Sequence, residues 1–122
     1  MKTGTKETFE VLRKIDRKDI VETVQGYALG EHFGAYWFTH KENGNWRVSE
    51  VKSGMSAAAC IYACDENGNL LTSAQGVTTI ADALLYAPRY LTFLYNKFGA
   101  ENFFRAIEKG HEKMAAAKVD SK

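Results

Sequence analysis

Hydrophobic positions follow two different rhythms along this chain. Phe9, Leu12 and Ile15 recur every third residue behind Thr5, whose hydroxyl suits an N-cap, and this spacing predicts a short helix. Asp16 offers a second cap, after which Ile20, Val24 and Tyr27 continue the stripe. The segment reads either as one bent helix or as two short ones, ending near Gly26 or Gly30.

From Gly34 the rhythm changes. AYWFTH is rich in aromatics and runs into KENGN, whose Asn43-Gly44 pair suits the positive φ angles of a type I′ hairpin turn. WRVSEV then resumes the alternation with Trp46 and Val48. A second turn of the same kind, DENGN with Asn67-Gly68, separates SAAACIYAC from NLLTSA, so the pattern predicts four strands in an antiparallel meander. Alanine is a poor strand former, however, and Ser56 can cap a helix, so Ser56 to Cys64 reads as strand or as short helix.

Beyond Gly76 the period returns to that of a helix. Thr78 or Thr79 caps a segment whose core stripe is Ile80, Leu84, Ala87, Leu91, Tyr95 and Phe98, with Gly99 as its stop. Pro88 lies in the middle, where it removes one hydrogen bond and crowds the preceding turn, so a kink or a break is expected there. ENFFRAIEKGHEKMAAAK repeats the pattern with Phe103, Ile107 and Met114 on one face, and its last residues should fray. The expected fold is α+β: an N-terminal helix, a four-stranded antiparallel meander and two C-terminal helices packed on one sheet face, all within one domain over residues 1–122.

Composition agrees with a globular chain. Its 122 residues, 45% of them hydrophobic and 25% charged, can bury a self-sufficient core. No apolar run approaches the roughly 20 residues of a membrane-spanning helix, and MKTGTKETFEVLRK lacks the apolar stretch of a secretory signal, so a cytoplasmic location is expected. Sixteen basic residues nearly balance fifteen acidic ones, which argues against nucleic acid as a partner. The charges are uneven all the same. Lys2, Lys6, Arg13, Lys14, Arg17 and Lys18 crowd the start and Arg105, Lys109, Lys113, Lys118 and Lys122 the end, while no Lys or Arg falls between Ser53 and Pro88. Solvated element faces account for such runs.

Candidate chemistry is sparse. His32, His40 and His111 fall in three separate elements with no metal-ligand spacing, so neither a metal nor another cofactor is expected. Cys60 and Cys64, on a strand, would stand about 13 Å apart, too far for a disulfide, and read as two small buried thiols. GYALGEHFG, with Gly26, Gly30 and Gly34, precedes a strand and reads as a flexible connector, not a phosphate-binding loop. Glu31, His32, His40 and Glu50 are the one group able to converge for acid–base chemistry; exposed strand-end residues explain the same letters, and no catalytic residue is assigned.

The helix ALLYAPRYLTFLYNKF is more unusual, because Leu85, Tyr86, Tyr90 and Phe93 add apolar groups beyond its core stripe. Tyr86, Tyr90, Phe93 and Lys97 share one flank with Arg89 nearby, a mixture typical of protein-binding surfaces. The competing reading is ordinary core, covered by the last helix.

EHFGAYWFTH, WRVSEVKSG, the DENGNLL hairpin and the terminal helical pair resemble, in pattern over residues 27 to 110, the plasmid-borne SOS-inhibition proteins of the PsiB family. The aromatic strand and GMSAAA are more weakly similar to antirestriction proteins of the ArdB/KlcA type. Either resemblance implies a small mobile-element protein that binds and blocks a host DNA-processing or defence protein, and no functional residue is carried over. The leading expectation is therefore a non-enzymatic interaction protein, an inhibitor of a host enzyme. The alternative is a small-ligand-binding or enzymatic domain with a hollow lined by Tyr36, Trp37 or Phe38. A helix apolar around most of its circumference also predicts a homodimer, with Tyr86, Tyr90 and Phe93 at or beside the two-fold axis. Sedimentation at micromolar concentration should then give the mass of two chains; the mass of one chain throughout would assign the flank to the core or to a foreign partner.

Overall fold

The computed structural model of the 122-residue chain describes residues 2–71 and 75–120. Five strands come first, β1 (Lys6–Ile15), β2 (Lys18–His32), β3 (Ala35–Glu42), β4 (Asn45–Glu50) and β5 (Ser56–Ala58). The helices α1 (Ile80–Phe98) and α2 (Ala100–Asp120) follow. Neighbouring strands pair antiparallel in the order β1-β2-β3-β4-β5, so the fold is α+β and the meander is present, with five strands in place of the four expected.

The expected N-terminal helix is a β-hairpin. Asp16 does not cap a helix: Asp16 and Arg17 have φ of 50° and 66° and form a two-residue turn that pairs Ile15 with Lys18. Positive φ at both central residues matches the right-handed twist of the flanking strands, and Asp tolerates it better than most residues. Thr8, Val11, Ile20, Val21, Thr23 and Val24 favour the extended backbone, and in that state Phe9 and Val11 point to one side while Leu12 points to the other. The three-residue spacing of Phe9, Leu12 and Ile15 thus mixes residues of both faces, and Ile15 is exposed. GYALGEHFG is likewise not a loose connector. Gly26 and Gly30 lie within β2, where the register shifts between Ala28 and Gly30, and only Phe33 and Gly34, both at positive φ, make the turn into β3.

The β3–β4 hairpin turns at Asn43 and Gly44, with φ of 52° and 82°, as its sequence predicts. The Ser56–Cys64 segment is neither a full strand nor a helix. After the three residues of β5 it becomes irregular, tied to the sheet by Ile61 N–H donating to Trp46 O at 3.0 Å. Among the described residues the DENGN turn is followed by isolated pairings, Cys64 with Leu70 and Tyr62 with Gly76. Of the predicted NLLTSA strand, Thr72, Ser73 and Ala74 lie outside the described residues. Pro88 does not divide α1, which runs as a single helix from its Thr79 cap to Gly99, and the Thr92 hydroxyl donates to Pro88 O at 3.3 Å.

The two faces of the sheet have different covers. Leu29, Trp37, Trp46 and Val48 pack with Ile61, Val77, Ala83, Ala87, Tyr90, Leu91, Leu94 and Phe103, so both helices lie on this face. The buried stripe of α1 is accordingly Ala83, Ala87, Tyr90, Leu91 and Leu94, turned from the expected one, and Phe98 is left 51% exposed. The opposite face holds a second cluster of Phe9, Val11, Ala28 and Phe38 without any helix residue. It is buried because the sheet curls over it until the free edge of β1 meets the β4–β5 turn, where Leu12 N–H donates to Gly54 O at 2.9 Å. Fully burying Phe38 contributes roughly 1.5–3 kcal/mol, which favours closing the curl.

Phe9 and Phe38 stack at 4.2 Å between centroids, directly over Gly26. A Cβ there would stand 2.9 Å from Thr39 O and 3.2 Å from both rings. Gly26→Ala should therefore destabilise the fold by about 1–3 kcal/mol in urea unfolding, since the strands must separate or the rings leave their stack. A change below about 0.5 kcal/mol would show that the stack is not tightly held.

Candidate functional site

The helical pair closes tightly. Gly99, at φ 83°, donates its N–H to Tyr95 O and is the single residue between α1 and α2. Phe98 and Phe103 consequently flank a sharp reversal, with Phe103 packed against Trp37, Phe33 and Tyr95 at centroid distances of 5.9, 5.4 and 5.5 Å. Below this reversal a cleft of about 300 Å³ opens between the sheet and the helices. Trp37, Met55, Leu94, Phe98, Phe103 and Ile107 form most of its wall, and Glu50, Ser53, Ser56 and Asn102 supply its polar side chains. Trp37 is held in orientation by donating its indole N–H to His32 O at 2.8 Å.

Glu50 is only 3% exposed, and its carboxylate organises the surroundings. Oε2 accepts the Lys52 N–H at 2.8 Å, and Oε1 accepts the Ser53 N–H at 2.9 Å and the His111 Nε2–H at 2.7 Å. The first two bonds shape the β4–β5 turn, and the third ties α2 to it. Gly110 allows this approach, because a Cβ there would stand 2.7 Å from the Ser53 Cβ. A second hollow of about 270 Å³, lined by Phe33, Tyr36, Lys52, Phe104, Ile107 and His111, shares Glu50 with the cleft.

The expected acid–base group does not converge. Glu31 is exposed, and the His32 ring contacts Leu29 O at 3.0 Å. His40 lies on the inner side of the curl, 3.2 Å from the Ser49 hydroxyl and 3.8 Å from Glu42, which is itself paired with Arg13. Glu50 faces the helices and meets His111, a histidine that the sequence leaves unpaired because 61 positions separate the two.

The α1 flank is packed in part within the chain. Tyr90 is 8% exposed and lies against Phe93 and Tyr62 at 5.4 and 5.9 Å, and burial, with Tyr62 and the two cysteines adding to it, pushes its hydroxyl above the usual tyrosine range. Arg89 donates to Cys64 O at 3.3 Å and sits over Tyr86 at 5.7 Å. Lys97 lies over Phe93 and Phe98 at 5.8 and 5.5 Å. The irregular segment after β5 reaches over part of this flank, where Gly68 packs on Thr92 and Phe93. Tyr86 and Phe93 remain half-buried, and Leu85 is exposed.

Cys60 and Cys64 are free thiols, Cys64 buried and Cys60 half-buried, and burial raises the Cys64 thiol, with Asp65 adding to the effect. Among the described residues no group of three or more His, Cys, Asp or Glu is placed to hold a metal, and no helix is long and apolar enough to cross a membrane. No family model matches the chain, and neither a curated protein nor a solved structure matches it.

Burial lowers the His40 pKa from 6.5, with Arg47 and Arg13 acting in the same direction and Glu42 opposing. The folded state therefore binds fewer protons at His40 than the unfolded chain, and stability should fall as pH drops below about 6.5. Glu42 is lowered chiefly by its Arg13 bond, so its contribution is lost only in more acid solution, below about 4.5. Urea midpoints measured from pH 7.5 to 5 should decline, and His40→Gln should flatten that decline; an unchanged slope in the variant would exclude His40 as its source.

Proposed function

We propose that this chain is a ligand-binding domain that takes a small, mainly apolar molecule into the cleft between the sheet and the α1–α2 reversal. The carrying observation is the composition of that cleft: aromatic and aliphatic side chains from β3, α1 and α2 surround about 300 Å³ of space, with a few polar groups set among them. Small-molecule sites have this character and range from roughly 300 to 1,000 Å³. Trp37 supplies one wall and Tyr36 borders the neighbouring hollow, whereas Phe38 points into the curl on the other side of the sheet. A thermal-shift panel of small apolar compounds tests the reading. Binders at a hundred times their Kd should stabilise the wild type by about 2.7 kcal/mol. Ile107→Trp, which fills the cleft, should abolish the shift with circular dichroism unchanged, and a wild type that responds to no compound would overturn the proposal.

A second reading, protein binding through the α1 flank, is favoured by the exposure of Tyr62, Leu70, Leu71 and Leu85 around Tyr86 and Arg89. Here the partner is a second copy of this chain or a host protein that it inhibits, as the resemblance to mobile-element inhibitors implies. Tyr90 is a buried core member, Tyr86 and Phe93 are partly buried against that core and Leu85 is exposed, so Leu85 and Tyr86, adjacent in the chain, are the residues to change. Leu85→Asp combined with Tyr86→Ala should convert a two-chain mass to a one-chain mass in sedimentation, or abolish capture of the host partner, while the fold persists. Unchanged assembly and capture would remove this flank as the interface.

A further inference from the structure

We propose that the molecule bound in the cleft carries a primary ammonium head that pairs with Glu50. This inference rests on the cleft reading given above. Among the residues lining the cleft, Glu50 is the only one with a charged side chain. A carboxylate offers about four acceptor positions, and three are filled by the Lys52 and Ser53 amides and by His111. Two of those bonds fall on Oε1, so the remaining position is on Oε2, which accepts only the Lys52 N–H. The Lys52 and His111 side chains border the second hollow and do not line the cleft itself.

An ammonium supplies a donor for the open position and a positive charge beside the carboxylate, and charge-assisted hydrogen bonds of this kind are the stronger ones. Trp37, Phe98 and Phe103 also line this space, and the face of an aromatic ring attracts a cation. The remaining wall, Met55, Leu94 and Ile107, suits a hydrocarbon body. An apolar carboxylate of the same size would place like charges together and leave the open acceptor of Glu50 unpaired.

A matched series tests this: octylamine, 1-octanol and octanoate, titrated into the intact protein at pH 7 below their aggregation limits, with tryptophan fluorescence or calorimetry as readout. Octylamine should bind at least about tenfold more tightly than octanoate, with octanol between them, a difference of about 1.4 kcal/mol. Glu50→Gln should bring octylamine to within about twofold of octanol, and Ile107→Trp should remove binding of all three. Equal affinities, or octanoate as the tightest ligand, would overturn the head-group assignment and leave the cleft in place. No binding by any of the three would count against the cleft itself. Should Glu50→Gln fail to fold, the order of the three ligands on the wild type still decides, with Ile107→Trp as the measure of binding elsewhere.

Discussion

The buried carboxylate of Glu50 is the constraint from which much of this architecture follows. It sits at the end of β4, 3% exposed, and is hydrogen-bonded by two backbone amides of the next turn and by the imidazole of His111. The amides bend the chain so that Gly54 presents its carbonyl to Leu12, which joins the first strand to the far end of the sheet. The imidazole brings α2 down onto the same turn, where Gly110 meets Ser53 and Met114 reaches Gly54. One side chain thus connects the curl of the sheet with the seat of the last helix, and it borders both hollows that this seating creates.

The curl also explains how so small a sheet supports two apolar faces. An open sheet with helices on one side would leave Phe9, Phe38 and Val11 in water, and closing the β1 edge against the β4–β5 turn removes that exposure. The enclosed side is not wholly apolar. His40, Ser49 and the Arg13–Glu42 pair continue it toward the rim, and each finds a partner there, as buried polar groups must. On the helical side the fit is looser at the α1–α2 reversal. Gly99 turns the chain within one residue, and the cleft lies between the sheet and the two helices that meet there.

Much of the α+β order was legible because its signals are local. The Asn43-Gly44 turn, the Thr79 cap accepting the Asp82 N–H and the Gly99 stop all act within four residues of themselves. The N-terminal hairpin was not legible for the same reason in reverse: Asp16-Arg17 is an unusual turn pair, and Phe9, Leu12 and Ile15 imitate a helical period while belonging to two faces of a strand. Of the candidate site, the hollow around Trp37 followed from the aromatic strand, but its polar centre did not. Glu50 was grouped with His32 and His40, its neighbours in sequence, and the partner it has is 61 positions away.

By itself, then, the sequence determined the two helices, the stop of the first at Gly99, the turn of the β3–β4 hairpin and the mixture of strand and helix. It also placed the aromatic groups on β3 and α1. Tertiary structure alone decided that the first segment is extended, that the sheet curls, which side chains of α1 face inward and which carboxylate meets which histidine. Caps and turns are set by hydrogen bonds and backbone torsions among adjacent residues, so they are written in adjacent letters. The direction of a sheet's curl, and the pairing of Glu50 with His111, depend on burying area contributed by residues far apart in the chain, which no local pattern records.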